Sequence, residues 1–229
     1  MNRQETKFLS DTRRSFLRSL LRLSAGVMLL VSPVASFVRR TYAQAKRLIP
    51  PKGTKMSSLV DKNPAELDTR HLEVIPLERF ETMGLTDHET DIDAWRLKIA
   101  GKVQKPLSLT YNQIRELPSI ERNVLLICPG FFTNHGKWKG ISVVELFKLA
   151  RVESGITHVS FQGPPGRYEK TESFPVADVL SSKIFLAYQV NGQMLPRKHG
   201  FPLRVVAEDN FGSVWVKYVH MVEACRVEG

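Results

Sequence analysis

Asn123-Val124-Leu125-Leu126-Ile127-Cys128-Pro129-Gly130 carries an unbroken apolar run up to a thiol and then turns the chain. Consecutive apolar residues without alternation mark a short strand buried on both faces, and Pro-Gly marks its end. A thiol at the C-terminal lip of such a strand lies where sheet proteins tend to set reactive groups. Upstream, Trp95-Arg96-Leu97-Lys98-Ile99 alternates apolar and polar residues, the period of a half-buried strand, and Gly101 turns the chain. Thr110-x-x-Gln113 reads as a capping box opening a short helix toward Leu117 and Pro118. Ser142-x-x-Glu145 opens a second, with Val144, Leu146, Phe147, Leu149 and Ala150 as its core face. Residues 159–161 and 184–190 read as strands, and Asn191-Gly192 is the strongest hairpin signal in the chain. Residues 202–207 and 214–222 are expected to form a last strand pair around Asn210-Phe211-Gly212. Strands outnumber helices. The fold class expected is α+β, with a mostly β, mixed-sheet core and short inserted helices.

The first 45 residues read as a leader rather than as part of that fold. Thr12-Arg13-Arg14-Ser15-Phe16-Leu17-Arg18 has the form of a twin-arginine export signal. The uncharged stretch 23–38 is shorter than the ~20 apolar residues needed to cross a bilayer, and Ser24, Gly26, Ser32 and Pro33 weaken it further. Ala43-Gln44-Ala45 fits a small-residue cleavage site, although Arg39-Arg40 stands between it and the apolar stretch. The expectation is a periplasmic protein, with an uncleaved N-terminal membrane anchor as the alternative. Residues 46–66, with Pro50-Pro51, Gly53 and Pro64, read as an extended linker, leaving 67–229 as the domain.

Charge follows the same division. The whole chain carries a formal +10, but residues 1–45 hold eight Lys/Arg against two Asp/Glu, which leaves +4 on the remaining 184 residues. So modest an excess makes no basic stripe, and nucleic acid is excluded as a partner. Cys128 and Cys225 are the only cysteines. They could pair in an oxidising compartment, though Cys225 lies in what reads as a charged tail. No C-x-x-C or C-x-x-C-H occurs, which argues against a dithiol, a structural zinc site or a covalently held haem.

Six pieces in order carry a resemblance: the strand Trp95 to Gly101, Cys128 at a strand end, Trp138-Lys139-Gly140 before a capped helix, Ala187-Tyr188-x-x-Asn191-Gly192, His199-Gly200-x-Pro202-Leu203-Arg204, and Phe211-Gly212 followed by Lys217. Together they resemble the molybdopterin-binding domain of the sulfite oxidase family, over roughly residues 70–225. The resemblance implies Mo-molybdopterin as cofactor, the metal being held by two pterin dithiolene sulfurs and a cysteine thiolate. Cys128 is then the metal ligand and catalytic cysteine. A soft thiolate suits such a metal, and ligation removes its proton. The resemblance further assigns cofactor contacts to Phe80, Glu81 and Thr82 in an upstream loop, and to Gly163, His199, Arg204, Trp215, Val216 and Lys217. A guanidinium fork such as that of Arg204 suits phosphate oxygens.

The function implied is two-electron oxygen-atom transfer on a small substrate. Electrons would be exchanged with a separate protein, a periplasmic cytochrome or a quinone-linked membrane subunit. Pro129 to His135, after the ligand cysteine, contains no arginine where sulfite oxidases carry one for their anion. His135, Lys137 and Lys139 are the cations nearest in sequence. Phe131 and Phe132 instead point to an apolar mouth, suited to a sulfoxide or another S- or N-oxo compound, and the single-domain form is similar to periplasmic methionine-sulfoxide-reductase subunits. Two alternatives stand beside this reading. One is a metal-free exported binding module that keeps the fold; the other is a cysteine nucleophile with His135 or His199 as base.

Overall fold

The computed structural model describes residues 47–226. The expected signal peptide over 1–45 lies outside the described residues. Among them, the elements in chain order are β1 (Leu97–Gly101), β2 (Leu107–Leu109), α1 (Tyr111–Glu116), β3 (Ser119–Cys128), β4 (Phe132–Ser142), α2 (Val143–Ala150), β5 (His158–Gln162), β6 (Thr171–Pro175), α3 (Val176–Leu180), β7 (Ile184–Val190), β8 (Gln193–Met194), β9 (Arg204–Ala207) and β10 (Met221–Cys225). The strands form two five-stranded sheets. One runs β2-β1-β10-β5-β6; the other runs β3-β4-β7, with β8 and β9 both pairing to the far edge of β7. Only β1 and β10 pair in parallel, so the core is mixed, mostly β, with short helices inserted: an α+β fold, as the patterning predicts.

The apolar run in β3 is unbroken because both its faces are covered. Val124 and Leu126 join the main core with Trp138, Leu186 and Trp215, while Leu125 and Ile127 meet Leu59, Leu67 and Leu72 in a second cluster. That second cluster corrects the reading of residues 46–66 as an extended linker. Residues 48–66 pack onto β3 and β4 through 3-10 turns at Met56–Leu59 and Pro64–Glu66, with Leu59 buried. Thr133 Oγ1 donates to the Met56 carbonyl at 2.8 Å. The segment lacks helical or strand periodicity because it covers a sheet with turns, but its leucines leave water as surely as a helix face would.

α1 has the capping box its sequence announces: Gln113 N donates to Thr110 Oγ1, and Thr110 N donates to Gln113 Oε1. Ser142 caps α2, whose Val143, Leu146, Phe147 and Ala150 are buried. Asn191 and Gly192 both take positive φ, 51° and 77°, and close the β7–β8 hairpin.

The expected final strand pair does not form. β9 belongs to the β7 edge, whereas β10 lies between β1 and β5 in the other sheet. Residues 208–220 carry the chain from one sheet to the other, linked to β9 by Val205 N to Val216 O and Asn210 N to Ala207 O, and to the residue before it by Val219 N to Leu203 O, with no strand ladder among them. Cys225 is accordingly on a paired strand rather than in a frayed tail, and both cysteines are free.

Candidate functional site

Strand parity decides which side chains reach the site. On β3, Leu126 and Cys128 share one face; on β4, Phe132 and Asn134 do. These four line a cavity of about 380 Å³, completed by residues 81–85, residues 167–170, and Arg204, Gly212, Ser213, Trp215, Lys217 and Tyr218. The opposite parity removes His135. Its ring is fully buried against the N-terminal segment, with Nδ1 at 3.0 Å from the Glu73 carbonyl. Lys137 pairs with Glu121, and neither Lys137 nor Lys139 lines the cavity. Phe131, 68% exposed at the turn, does not line it either, so of the expected aromatic pair only Phe132 shapes the mouth.

Arg204 is the electrostatic centre. Its guanidinium carbon stands 5.1 Å from the Trp138 ring centre and 5.3 Å from that of Trp215. Nη1 donates to the His199 carbonyl at 3.0 Å, and Nε has no partner. Burial lowers its pKa to about 10. Lys217 donates to Thr82 Oγ1 at 2.8 Å, to the Met83 carbonyl at 2.9 Å and to the Leu85 carbonyl at 3.3 Å. Burial, and then the Arg204 charge, lower Lys217 to about 8. Among the described residues neither cation has a carboxylate partner. Two desolvated cations without a counter-ion form a site that is costly until an anion enters it.

Of the expected contacts, Glu81, Thr82, Cys128, Arg204, Trp215 and Lys217 line this one cavity. Phe80, Gly163, His199 and Val216 stand behind its walls. Phe80 is buried, 5.9 Å from both the Trp138 and His199 rings. A side chain at Gly163 would press on the carbonyls of Tyr168 and Lys217, at 2.9 and 3.3 Å, so glycine lets the 163–170 loop close beside Lys217. Val216 is buried and its carbonyl accepts from Val205 N.

His199 is buried, its Nε2 unpartnered. Burial, then Arg204, Lys198 and Lys217, depress its pKa to about 3. An unfolded histidine titrates near 6.5. Between those values the unfolded chain binds the extra proton, so stability must fall as pH drops from 6.5 toward 3. His199→Gln should flatten the slope of unfolding free energy in this window by up to one proton, about 1.4 kcal/mol per pH unit, in urea titrations of the ligand-free protein at pH 6.5, 5.5 and 4.5. An unchanged slope would mean that His199 is not the buried neutral group described.

Sequence reading missed several wall residues. Asn134 clamps the upstream loop at two points, Nδ2 donating to the Glu81 carbonyl at 2.7 Å and Oδ1 accepting from Glu81 N at 3.1 Å. Its signal was faint: a polar residue two places from Phe132, on the same strand face. Arg167, Tyr168 and Lys170 come from the β5–β6 loop, where Tyr168 donates to Asp87 at 2.9 Å, Arg167 pairs with Asp87, and Lys170 reaches the Ser213 carbonyl. Nothing local in the sequence announces that this loop folds over Cys128.

The residues fit the cofactor the resemblance implies. Arg204 Nε and His199 Nε2 are buried donors or acceptors in need of partners, the two cations call for phosphate oxygens, and Cys128 offers a soft donor. Burial raises the Cys128 pKa, and its side-chain contact is Met83 Sδ at 3.9 Å rather than a base. With His135 on the wrong face and His199 behind the wall, the nucleophile alternative lacks its general base. Among the described residues no three His, Cys, Asp or Glu side chains cluster to hold a metal, so an ion at Cys128 would draw its remaining ligands from a bound group.

Comparison with known proteins agrees. The chain is 29% identical over 163 residues to a nitrate reductase [NADH] of Volvox carteri, covering 58% of this chain and 19% of that protein. It is 28% identical over 200 residues to rat mitochondrial sulfite oxidase (76% and 34%), and 27% identical over 143 residues to the protein-methionine-sulfoxide reductase catalytic subunit MsrP of Gluconobacter oxydans (56% and 46%). The chain thus spans less than half the length of each of these relatives. The crystal structure of the sulfane dehydrogenase SoxCD from Paracoccus pantotrophus superposes with a TM-score of 0.57 over 61% of this chain and 40% of that one; at 23% identity this speaks for the fold alone. The family described as oxidoreductase molybdopterin binding domain matches residues 84–228. A match over more than half of the chain, on a cavity whose donors suit the group, places the protein in that family of molybdopterin-binding oxidoreductases of the sulfite oxidase type, with Mo-molybdopterin as its cofactor.

Proposed function

We propose that the protein is an exported, periplasmic oxidoreductase that transfers an oxygen atom to or from a small S- or N-oxo compound, a sulfoxide in the first instance, and exchanges electrons with a separate redox protein. The observation that carries this reading is the single cavity in which the Cys128 thiol and the Arg204–Lys217 cation pair meet an apolar lining. When bound, the molybdenum cofactor supplies two-electron redox chemistry coupled to oxygen-atom transfer. Cys128 would hold the metal as thiolate. Arg204 and Lys217 would hold phosphate, Arg204 through a fork already fixed between two indoles, with His199 packed behind them. Asn134 and Lys217 hold residues 81–85 in place as the facing wall. Met83, Leu85, Leu126, Phe132 and Trp215 make the space above Cys128 largely apolar, which favours a neutral substrate. The twin-arginine pattern at residues 12–18 supports export of a folded, loaded protein.

A second reading has one observation in its favour. Arg167 and Lys170 bring cations to the cavity rim from a loop far in sequence from Cys128, and an oxoanion such as sulfite would meet them. Both are engaged, by Asp87 and by Glu172 with Ser213, so the neutral substrate ranks first. The test is expression of the whole chain with its own leader in a host that makes the cofactor, followed by fractionation, molybdenum analysis and two assays. Periplasmic, near-stoichiometric molybdenum and reduction of dimethyl sulfoxide by reduced viologen support the proposal. Sulfite oxidation with ferricyanide as the sole activity selects the oxoanion reading, and folded protein without molybdenum removes both.

A further inference from the structure

Met83 stands beside Cys128, its thioether sulfur 3.9 Å from the thiol sulfur. The residue is 46% exposed and lines the cavity, on the loop that Asn134 and Lys217 pin. An exposed thioether is open to peroxide, which adds one oxygen atom to sulfur and leaves water. A methionine sulfoxide formed here would be a sulfoxide already seated beside the proposed metal ligand. Met is long and unbranched, with three rotatable bonds, so its sulfur can follow the reacting position without movement of the pinned backbone.

We infer that Met83 is an internal substrate of the site: its sulfoxide is reduced back to the thioether within the same molecule. The inference rests on the sulfoxide reading proposed above. In the balanced step the S–O bond of the sulfoxide breaks, two electrons arrive from the external donor, two protons are taken up, and the oxygen leaves as water. The thioether is regenerated and the donor is oxidised. A methionine at the mouth of an oxygen-transferring centre would otherwise accumulate damage and, as a polar sulfoxide, spoil the apolar lining; in this arrangement the centre clears it.

Met194 provides the control. It is more exposed than Met83, at 59%, but lies on β8 and lines no part of the cavity. Trypsin separates the two, since residues 80–96 and 184–197 are bounded by Arg or Lys and each contains one methionine. Molybdenum-loaded protein is treated with hydrogen peroxide, freed of it, and incubated with reduced viologen. Mass spectrometry then follows the gain of about 16 Da on each peptide. The expected result is oxidation of both, with Met83 restored and Met194 left oxidised, at a rate independent of protein concentration. Metal-free protein and Cys128→Ser should leave both oxidised. Persistence of Met83 sulfoxide in a preparation that reduces added dimethyl sulfoxide overturns the inference and spares the proposed function. Failure to reduce either sulfoxide removes the reading beneath it. Equal repair of Met194, or repair in Cys128→Ser, shows chemistry unrelated to the site and also overturns the inference, as does a Met83 that peroxide never oxidises.

Discussion

Cys128→Ser is expected to lose the proposed oxygen-atom transfer by on the order of a thousandfold or more, the scale on which essential groups register, while the fold survives. The thiol is half-buried at the end of β3, at the margin of the main core with the flexible Met83 beside it, so exchanging sulfur for oxygen should alter stability by less than about 1 kcal/mol. The chemical loss comes from elsewhere. Burial already holds the Cys128 thiol protonated at neutral pH, and only a bound metal would strip that proton. A serine hydroxyl resists such ionisation far more strongly and is a hard donor where a soft one is needed. Charge-transfer absorption from thiolate to metal should vanish with activity, while pterin content falls less, because Arg204 and Lys217, the proposed phosphate holders, are unchanged. Unfolding in urea, the visible spectrum and pterin fluorescence together check the prediction. A serine variant with wild-type turnover would show that the reacting centre is not at this strand end.

How far the sequence foretold this site depends on where each residue's signal lies. The β3 run, the Thr110 capping box and the Asn191-Gly192 hairpin were legible because local propensity and tertiary role agree at each. β4 was not. It is the longest strand among the described residues, yet Thr133-Asn134-His135-Gly136-Lys137 shows no apolar alternation, since its polar residues serve a two-sided burial that no single-strand pattern encodes. One face bonds the N-terminal segment through Thr133 and His135; the other gives Asn134 to the cavity. Gly136 escapes local reading for a similar reason, as its missing side chain is filled by the Phe80 ring, which a Cβ would meet at 2.6 Å. The same limit hid residues 167–170, which reach the cavity only because β5 and β6 hairpin beside β10. Arg204 and Lys217 were identified through motif order, but that the first would be buried, the second half-buried, and neither given a carboxylate partner is a tertiary fact.

That fact makes the second large prediction run against intuition. Arg204→Met should stabilise the ligand-free protein while emptying it of cofactor. A buried guanidinium without a counter-ion carries a desolvation cost of several kcal/mol, and the fall of its pKa from 12.5 to about 10 expresses that cost in the folded state. Against it stand one hydrogen bond to the His199 carbonyl and stacking on two indoles, each worth about 1–2 kcal/mol. Methionine fills similar space and makes its own sulfur–aromatic contacts, so the net gain expected is about 1–3 kcal/mol. Lys217 reports the same change by pH. In the wild type its folded pKa of about 8 lies below the unfolded 10.5, the unfolded chain binds more protons between them, and stability therefore rises with pH across that window. Removing the Arg204 charge relieves one cause of the depression, raises the folded value and narrows the window from below. Molybdenum retention, meanwhile, should fall by about a hundredfold, because the fork that fits phosphate is gone. Denaturant midpoints from pH 7 to 10.5, set beside metal analysis, test both halves. A variant less stable at every pH would mean that Arg204 is a structural cation satisfied by its indoles, and one that keeps its molybdenum would take phosphate binding away from it.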